Sequence, residues 1–290
     1  MFGYSDDNIC LAPSLQALQD MLDTCEDYAA THNLKFSTDP NPAKCKTKTM
    51  AYLKQQRPLP SLQLCGNPLP WTDKVKHLGT TITNKIDGCE EDLRIKNAMY
   101  VEKNIELNQE FFFAHPRTKI KVNSIYNSHF TSSPLWNLFG NGAKKIISSY
   151  NRSIKSMMDL PLATHRSLIE PITDCKHISK ILVNRFLSFV EKISLCSKKA
   201  TKMLLETSSN DVRSVTGTNL REIMLLVGKT RVTDVCRGDG DLITYFDLKT
   251  DEIWKVQMIK ELIDIKHSFL EVEQYGSDEL ETILFYLCTS

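Results

Sequence analysis

The sequence contains no Cys-x-x-Cys pair, although it has nine cysteines. The cysteines are scattered and odd in number, so we predict reduced thiols, mostly buried, rather than a disulfide framework. A structural zinc site needs four ligands at close spacing. Cys175 and His177 lie two residues apart, but only Asp174 stands near them. We therefore expect no zinc.

The sequence also lacks an apolar run of the ~20 residues that a membrane-spanning helix requires. Its longest aromatic stretch is Phe111-Phe112-Phe113. Acidic Asp6 and Asp7 stand where a secretory signal would be basic. We expect a soluble, intracellular protein without a membrane partner, and nucleus and cytoplasm stay open. A chain of 290 residues has room for one to three domains.

Charge is unevenly distributed, although the net charge is only +1. Residues 110–202 carry 15 Lys or Arg against 5 Asp or Glu, and residues 234–290 carry 5 against 13. A single basic cluster is commonly a solvated helix face, but the summed imbalance favours nucleic-acid binding. The clusters lie at residues 117–121 and 198–202, and at Lys144, Lys145, Arg152 and Lys155.

Two adjacent carboxylates, Asp6 and Asp7, follow Tyr4 where two short strands are predicted to meet in a tight turn. Oxygen ligands suit magnesium, and a metal pair polarises a phosphoryl oxygen and prepares a 3′-hydroxyl for in-line attack. An isolated Asp-Asp pair more commonly accepts backbone hydrogen bonds in a surface turn. The segments that follow favour the catalytic interpretation.

A helix and several strands are predicted after this turn. Apolar residues recur at helical spacing from Leu15 to Ala29, with Ser14 as the cap and Asn33 at the end. Strict alternation over residues 44–50 predicts a strand that carries three lysines on one face. Residues 62–65 predict a strand before a Gly66-Asn67 turn, and residues 74–79 predict another.

In this order, three segments resemble motifs of the reverse transcriptases of non-LTR (LINE-type) retrotransposons. Tyr4-Ser5-Asp6-Asp7 resembles the Tyr-Ala-Asp-Asp sequence of motif C. Leu34-Lys35-Phe36, with Asn41-Pro42-Ala43-Lys44-Cys45-Lys46, resembles motif D. Lys76-His77-Leu78-Gly79 resembles the Lys-Tyr-Leu-Gly primer grip, motif E. The order of the three motifs, rather than any one of them, carries the resemblance, which covers roughly the first 85 residues.

The resemblance implies an RNA-directed DNA polymerase (nucleotidyltransferase) that uses magnesium or manganese. Asp6 and Asp7 would be catalytic carboxylates that bind the metal, and Lys44 a catalytic residue near the incoming triphosphate. Tyr4, His77 and Gly79 would contact the primer. The partners of the intact parent protein would be an RNA template, a DNA primer and a dNTP. Ser5, Cys45 and His77 depart from the family's usual Ala, Ser or Thr, and Tyr.

The resemblance also implies an α+β fold in three parts. Residues 1–87 would be the C-terminal half of the palm, with antiparallel strands and one helix. Residues 88–200 would be a helical thumb, and residues 201–290 a helical acidic tail of unknown role. Motifs A and B of the family are not among these residues, so we expect a fragment of a polyprotein that is inactive alone. We also expect an exposed sheet edge and poor solubility.

Helical spacing dominates from residue 88 onwards. Helices are predicted around residues 93–105, after a break at His115-Pro116, over 143–158 behind the breaker Gly140-Asn141-Gly142, and over 177–196. Ser208-Ser209-Asn210 is read as a linker, and Asn219 with Glu222 as a capping-box start. An ordinary turn is favoured over a calcium site for Gly238-Asp239-Gly240-Asp241.

Two other functions fit the same sequence. One is a non-catalytic, mostly helical protein derived from a retrotransposon, which binds nucleic acid or a partner through the basic surface. The other is a purely structural helical protein, for which no salt-sensitive binding to RNA or DNA is expected.

Overall fold

The computed structural model describes residues 2–4, 7–53, 58–85, 89–126, 130–164, 166, 169–173 and 175–226. The chain divides into two compact units, Met1–Asp92 and Leu93–Ser290. The first contains short antiparallel strands and a helix, and the second is helical, so the α+β class is confirmed. Within the described ranges, no helix is long and apolar enough to cross a membrane.

Three hairpins form the strands of the first unit, and each connects its strands through two residues. Strands β1 (Phe2–Tyr4) and β2 (Asp7–Ile9) pair, as do β3 (Gln63–Leu64) with β4 (Asn67–Pro68) and β5 (Lys74–His77) with β6 (Thr80–Thr83). The described strands make three separate two-stranded sheets. The predicted antiparallel strands are present, but a polymerase palm is not shown.

Two of the hairpin turns place both central residues in the left-handed region, as type I′ turns require. Cys65 and Gly66 have φ of 52° and 71°, and Leu78 and Gly79 have φ of 46° and 77°. The predicted Gly66-Asn67 turn thus begins one residue earlier. The positive φ at Gly79 explains a glycine in the motif E segment, because other residues are strained there.

Helix α1 (Leu15–Thr31) confirms the first helical prediction at both ends. The Ser14 hydroxyl accepts a hydrogen bond from the Ala17 N–H at 3.2 Å. Asn33 has φ of 54°, and the next amide, of Leu34, donates to the Ala29 carbonyl at 2.8 Å. This is a Schellman ending, in which an asparagine takes the left-handed position that terminates the helix.

Residues 44–50 do not form the predicted strand. Their one bridge joins Thr49 to Trp71, in parallel orientation. The predicted alternation of faces holds, because the three lysines are exposed whereas Cys45 and Thr49 are buried. The facing segment contains Pro68 and Pro70, which have no N–H to donate to a continuous ladder.

The core of the first unit is small and joins helix to hairpin. It consists of Leu22, Cys45, Leu62, Leu64 and Leu69, with partly buried Leu18, Phe36 and Trp71 packed against it. Of the seven cysteines in the described ranges, only Cys45 is buried, so the prediction of mostly buried thiols is wrong.

Eight helices of the described chain include seven that follow the hairpins. These seven are α2 (Glu90–Glu110), α3 (Pro116–Tyr126), α4 (Asn141–Met157), α5 (Ile169–Thr173), α6 (Ile178–Leu195), α7 (Lys199–Asn210) and α8 (Val215–Leu226). The second unit begins at Leu93, within α2, and contains α3 to α8. The break before Pro116 is confirmed, because proline opens α3 where an N–H would have no helical partner.

The predicted breaker at residues 140–142 is only partly right. Gly140 is the N-cap of α4, but Asn141 and Gly142 belong to the helix. A Cβ on Gly142 would lie 3.1 Å from two side-chain carbons of Leu93. The glycine therefore serves close packing inside the second unit rather than a break in the chain.

The core of the second unit is built around aromatic rings. Trp136 and Phe130 are both fully buried and meet edge to face, with ring centroids 5.8 Å apart. Helix α6 packs against the short 3-10 turn Ser133–Leu135 that precedes the tryptophan. The remaining large buried side chains come from several helices: Tyr100, Ile146, Ile154, Met157, Ile178, Leu182, Phe186 and Leu220.

Two predictions near the end of the described chain are wrong. Residues 208–210 are not a linker but the last residues of α7, where the buried Ser209 hydroxyl donates to the Leu205 carbonyl at 2.7 Å. Asn219 does not start a helix, since it lies inside α8. The Ser214 hydroxyl caps that helix by accepting from the Gly217 N–H at 2.8 Å.

Asn219 instead has a tertiary role. Its side chain donates to the Trp136 carbonyl at 2.8 Å and accepts from the Leu138 N–H at 3.0 Å. The side chain is fully buried. The Gly-Asp loop at residues 238–241 and the acidic tail lie outside the described residues.

Candidate functional site

The motif C segment forms the predicted hairpin. Tyr4 ends β1 and lies directly opposite Asp7, which begins β2 and is exposed. Ser5 and Asp6 fall between them and lie outside the described residues, as does the side chain of Tyr4. The pairing leaves two residues between the strands.

The motif D lysine, Lys44, is exposed on a turn. Its N–H donates to the Asn41 carbonyl at 3.0 Å. Two side chains order this loop, because Asp39 accepts from the Asn41 N–H at 2.7 Å and Asn41 accepts from the Ala43 N–H at 3.0 Å. Such Asx turns fix the backbone locally without a strand.

The motif E segment is the tip of the β5–β6 hairpin. His77, half-buried, ends β5 opposite Thr80, and the Leu78-Gly79 turn connects the strands. This hairpin and the motif C hairpin belong to different two-stranded sheets. The sheet pairing therefore does not bring Asp7, His77 and Gly79 into one array.

The donor set for a divalent metal is small. Within the described ranges, no three His, Cys, Asp or Glu side chains form a group that fits a metal ion. The exposed carboxylate of Asp7 has the oxygen chemistry that Mg²⁺ prefers. One carboxylate does not make a two-metal site, so a catalytic metal pair would need Asp6 and ligands from another strand.

The basic residues predicted on the fourth helix share one face. At about 100° per residue, Lys144, Lys145, Arg152 and Lys155 fall within an arc of about 100°. The opposite arc, centred about 180° away, holds the buried residues of α4: Ala143, Ile146, Tyr150, Ser153, Ile154 and Met157. Burial of one face therefore fixes the direction of the other.

The charge on this face, which we call the α4 basic face, is not neutralised locally. Helix α4 contains no Asp or Glu. Lys144, Lys145 and Arg152 are exposed and make no ion pair with any residue that the structure describes. Lys155 is half-buried, and its ammonium group donates to the Leu162 carbonyl at 2.8 Å. Three of the four cations thus point to solvent without a carboxylate.

A buried aromatic and polar cluster supports α4 from behind. Tyr100 of α2 stacks at 6.1 Å on Tyr150 of α4, and its hydroxyl accepts from the Asn123 side chain of α3 at 3.4 Å. Desolvation by burial raises the pKa of Tyr100 and, more strongly, the pKa of Tyr150. Three helices therefore meet at groups that stay neutral at physiological pH.

The sequence analysis did not predict that the aromatic stretch at residues 111–113 is exposed to solvent. Phe112 and Phe113 are 76% and 75% exposed. The signal was present in the sequence, since three consecutive phenylalanines cannot all face one side of a helix.

No family model, no curated protein and no solved structure matches this chain. The resemblance to motifs C, D and E therefore rests on the residues of the three segments and on their order.

Proposed function

We propose that this chain binds nucleic acid through the α4 basic face, in the manner of the thumb of a non-LTR reverse transcriptase. The observation that carries the proposal is the arrangement of α4, with its cations on one face and its buried residues on the other. On the same proposal, Asp6 and Asp7 belong to a polymerase site for which these 290 residues do not supply every carboxylate.

The physical argument is electrostatic. Each phosphate that a Lys or Arg neutralises releases a condensed counterion, so binding weakens as salt rises. About four contacts predict a ~100-fold loss of affinity for duplex between 50 and 200 mM salt. Because contacts to phosphates position a protein without reading bases, sequence preference should be slight.

Fluorescence anisotropy with a labelled RNA–DNA hybrid tests the proposal. The substitutions Lys144→Gln, Lys145→Gln, Arg152→Gln and Lys155→Gln together should reduce affinity about equally for all sequences and flatten the salt dependence. The matched control removes four exposed charges outside the basic clusters: Lys48, Lys74, Lys85 and Lys103 to Gln. The control should retain most of the affinity. Equal losses of affinity in the two variants would show that binding depends on the total positive charge and not on the α4 basic face.

The catalytic part of the proposal has its own test. Because motif A is not among these residues, we expect no primer extension on an RNA template with Mg²⁺ or Mn²⁺. The control is the double variant Asp6→Ala, Asp7→Ala. Incorporation of dNTP above that control would show that the chain assembles a complete site by itself.

Metal binding distinguishes a polymerase remnant from a non-catalytic helical protein that binds nucleic acid. Both candidates place Asp6 and Asp7 on the hairpin, but only the polymerase remnant needs them to bind a metal ion. Mn²⁺ should broaden NMR resonances of β1 and β2 in the native chain but not in the Asp6→Ala, Asp7→Ala variant. If Mn²⁺ changes the spectra of both chains equally, the polymerase hypothesis is wrong and nucleic-acid binding is the proposed function that stays.

A further inference from the structure

An exposed cluster of three phenylalanines lies between α2 and α3. The rings contact one another, with centroids of Phe112 and Phe113 5.5 Å apart and those of Phe111 and Phe113 6.5 Å apart. Phe111 is 37% exposed and the other two are about twice as exposed. Leaving two such rings in water forgoes roughly the burial energy of a core side chain each, which makes the cluster a candidate contact surface.

The backbone holds this cluster in a fixed position. The Phe111 N–H donates to the Leu107 carbonyl at 3.0 Å, which continues the last turn of α2. The Ala114 N–H then donates to the Phe111 carbonyl at 2.9 Å, and Pro116 opens α3. The aromatic cluster is therefore mounted on a short turn between two helices rather than on a long loop.

Positive charge flanks the cluster along the chain. Arg117 and Lys121 are exposed and lie one turn apart on α3. Neither makes an ion pair with a residue inside the described ranges. Thr118, between them, is also exposed. Arg117, Thr118 and Lys121 thus make the exposed start of α3, next to the rings, polar and basic.

A side-chain contact joins the end of α2, from which the cluster follows, to the end of α4. The Asn108 amide donates to the Ser156 hydroxyl at 3.5 Å, which joins the last turn of α2 to the last turn of α4. Arg152 lies one helical turn before Ser156, and Phe111 follows Asn108 by three residues. Phe111 and Arg152 therefore each lie about one helical turn from the Asn108–Ser156 contact.

The acidic residues of α2 lie around the helix from Asn108, although the exposed Glu110 directly precedes Phe111. Glu102, Glu106 and Glu110 recur every four residues. By helix geometry they lie about 120° to 200° around α2 from Asn108. They project from the side of α2 away from Ser156, so the negative charge is separated from the basic end of α4.

We propose that Phe111, Phe112 and Phe113 form a stacking platform for the unpaired bases of a single-stranded nucleic acid. The phosphates of the same strand lie along Arg117, Lys121 and Arg152. Base–aromatic stacking tolerates any sequence because every base has a π-face, and it is commonly combined with a basic track for the backbone. The inference rests on the proposed function and adds to it a preference for unpaired segments.

The test uses the full chain and oligonucleotides of about 12 nucleotides, as RNA and as DNA, with 2-aminopurine in place of one base. The double variant Phe112→Leu, Phe113→Leu keeps the apolar character and removes the rings. Single-strand affinity should fall about fivefold or more, quenching of 2-aminopurine should be lost, and the salt slope should not change. Affinity for duplex should stay as in the native chain.

Two controls separate stacking from general damage. The variant Phe112→Tyr, Phe113→Tyr keeps two rings and should bind as the native chain does. Leu162→Ala changes another exposed apolar side chain, 70% exposed, and should have no effect. A stronger effect on RNA than on DNA in the same assay would identify RNA as the strand that the platform takes.

Three results would overturn the inference, and each is distinguishable from failure of the proposed function. Unchanged affinity and quenching in the Leu variant would remove the platform while leaving duplex binding through α4 intact. The cluster would be a membrane contact if the chain binds vesicles of phosphatidylserine and phosphatidylcholine, if the Leu variant still binds them, and if the variant Phe112→Ala, Phe113→Ala does not. No binding to any nucleic acid at low salt would remove both proposals.

Discussion

In the first unit, Asp7 and His77 lie on hairpins with strands of three or four residues and Lys44 lies on a turn, whereas in the second unit the basic residues of α4 lie on a helix of 17 residues. Among the described residues, each hairpin pairs only within itself. Helix α4 buries one whole face against other elements of its unit. The same chain therefore presents one set of charged residues on local turns and the other on a packed scaffold.

This difference bears on what each surface does. Precise catalysis requires ligands from several rigid elements, because small misplacements are costly in rate. A site that attracts phosphates tolerates looser geometry, since long-range charge supplies most of the affinity. The hairpins thus need further elements to become a polymerase site, whereas the α4 basic face has what it needs within its own unit.

The largest expected effect breaks the scaffold of the second unit. Trp136 is fully buried and packs edge to face on Phe130. The substitution Trp136→Ala should lower the free energy of unfolding by about 3–5 kcal/mol, because it leaves a cavity that the helices cannot fill. Urea unfolding followed by helical circular dichroism measures this. Leu162→Ala, at an exposed site, should change it by less than ~0.5 kcal/mol.

A smaller loss is expected from the buried asparagine of α8. Asn219→Ala orphans the Trp136 carbonyl and the Leu138 N–H, both of which it bonds in the core. Each buried group left without a partner costs about 1–3 kcal/mol. The exposed Asn210 at the end of α7 supplies the matched control, Asn210→Ala. Equal urea midpoints for the two variants would contradict the tertiary role of Asn219.

Alkaline pH should loosen the second unit through its buried tyrosines. Tyr150 has a pKa raised above the ordinary value of 10.0, chiefly by desolvation, so the folded state holds its proton more tightly than the unfolded chain. The free energy of unfolding is therefore unaffected by this group below pH 10. It falls as the pH rises from 10 towards the raised pKa, because the unfolded chain loses the proton first.

The matching variant removes this ionisable group. At one pH unit above the ordinary tyrosine pKa, Tyr150→Phe should reduce the alkaline loss of unfolding free energy by about 1 kcal/mol. Urea unfolding at a series of alkaline pH values checks this, and the same experiment at neutral pH is the control. An unchanged slope with pH would show that the tyrosine ionises without unfolding the helices.

The smallest expected effect concerns the first unit, where single polar side chains hold helix to hairpin. Gln19 of α1 donates to the Gln63 carbonyl at 3.0 Å and accepts from its N–H at 2.9 Å. Gln19→Ala should cost about 1 kcal/mol. Gln16, one turn earlier, bonds only Asp20 on its own helix among the described residues. Gln16→Ala should leave the free energy of unfolding nearly unchanged. Thermal unfolding of both variants and the native chain measures the difference.

Those contacts also correct the picture of an exposed sheet edge. Gln63 lies on β3, and both of its backbone groups bond to Gln19. The next free amide, of Cys65, donates to the Glu26 carboxylate at 2.7 Å. Side chains of α1 therefore satisfy part of the edge that we expected to be bare, and this reduces its tendency to pair with another chain.

Local signals predicted most of the helices and strands, but they failed for the strand at residues 44–50. Ser14 and Asn33 bracket α1 as expected, and Pro116 opens α3, because caps and proline act within a few residues of chain. Residues 44–50 alternate as a strand does but have no ladder, since ladder formation depends on a partner segment that here contains prolines. Sequence-based periodicity reports which face is buried, not whether a neighbour supplies hydrogen bonds.

By itself, the sequence determined the positions of the main helices, the basic centre of the chain and the tight hairpin at Tyr4 and Asp7. These follow from propensity, charge and turn chemistry, which are properties of short segments. Only the tertiary structure decided that Asn219 bonds the Trp136 loop, that the four cations of α4 oppose its buried face within a packed unit, and that Asn108 near the end of α2 contacts Ser156 near the end of α4. Such features depend on contacts between residues distant in the chain, which local patterns do not encode.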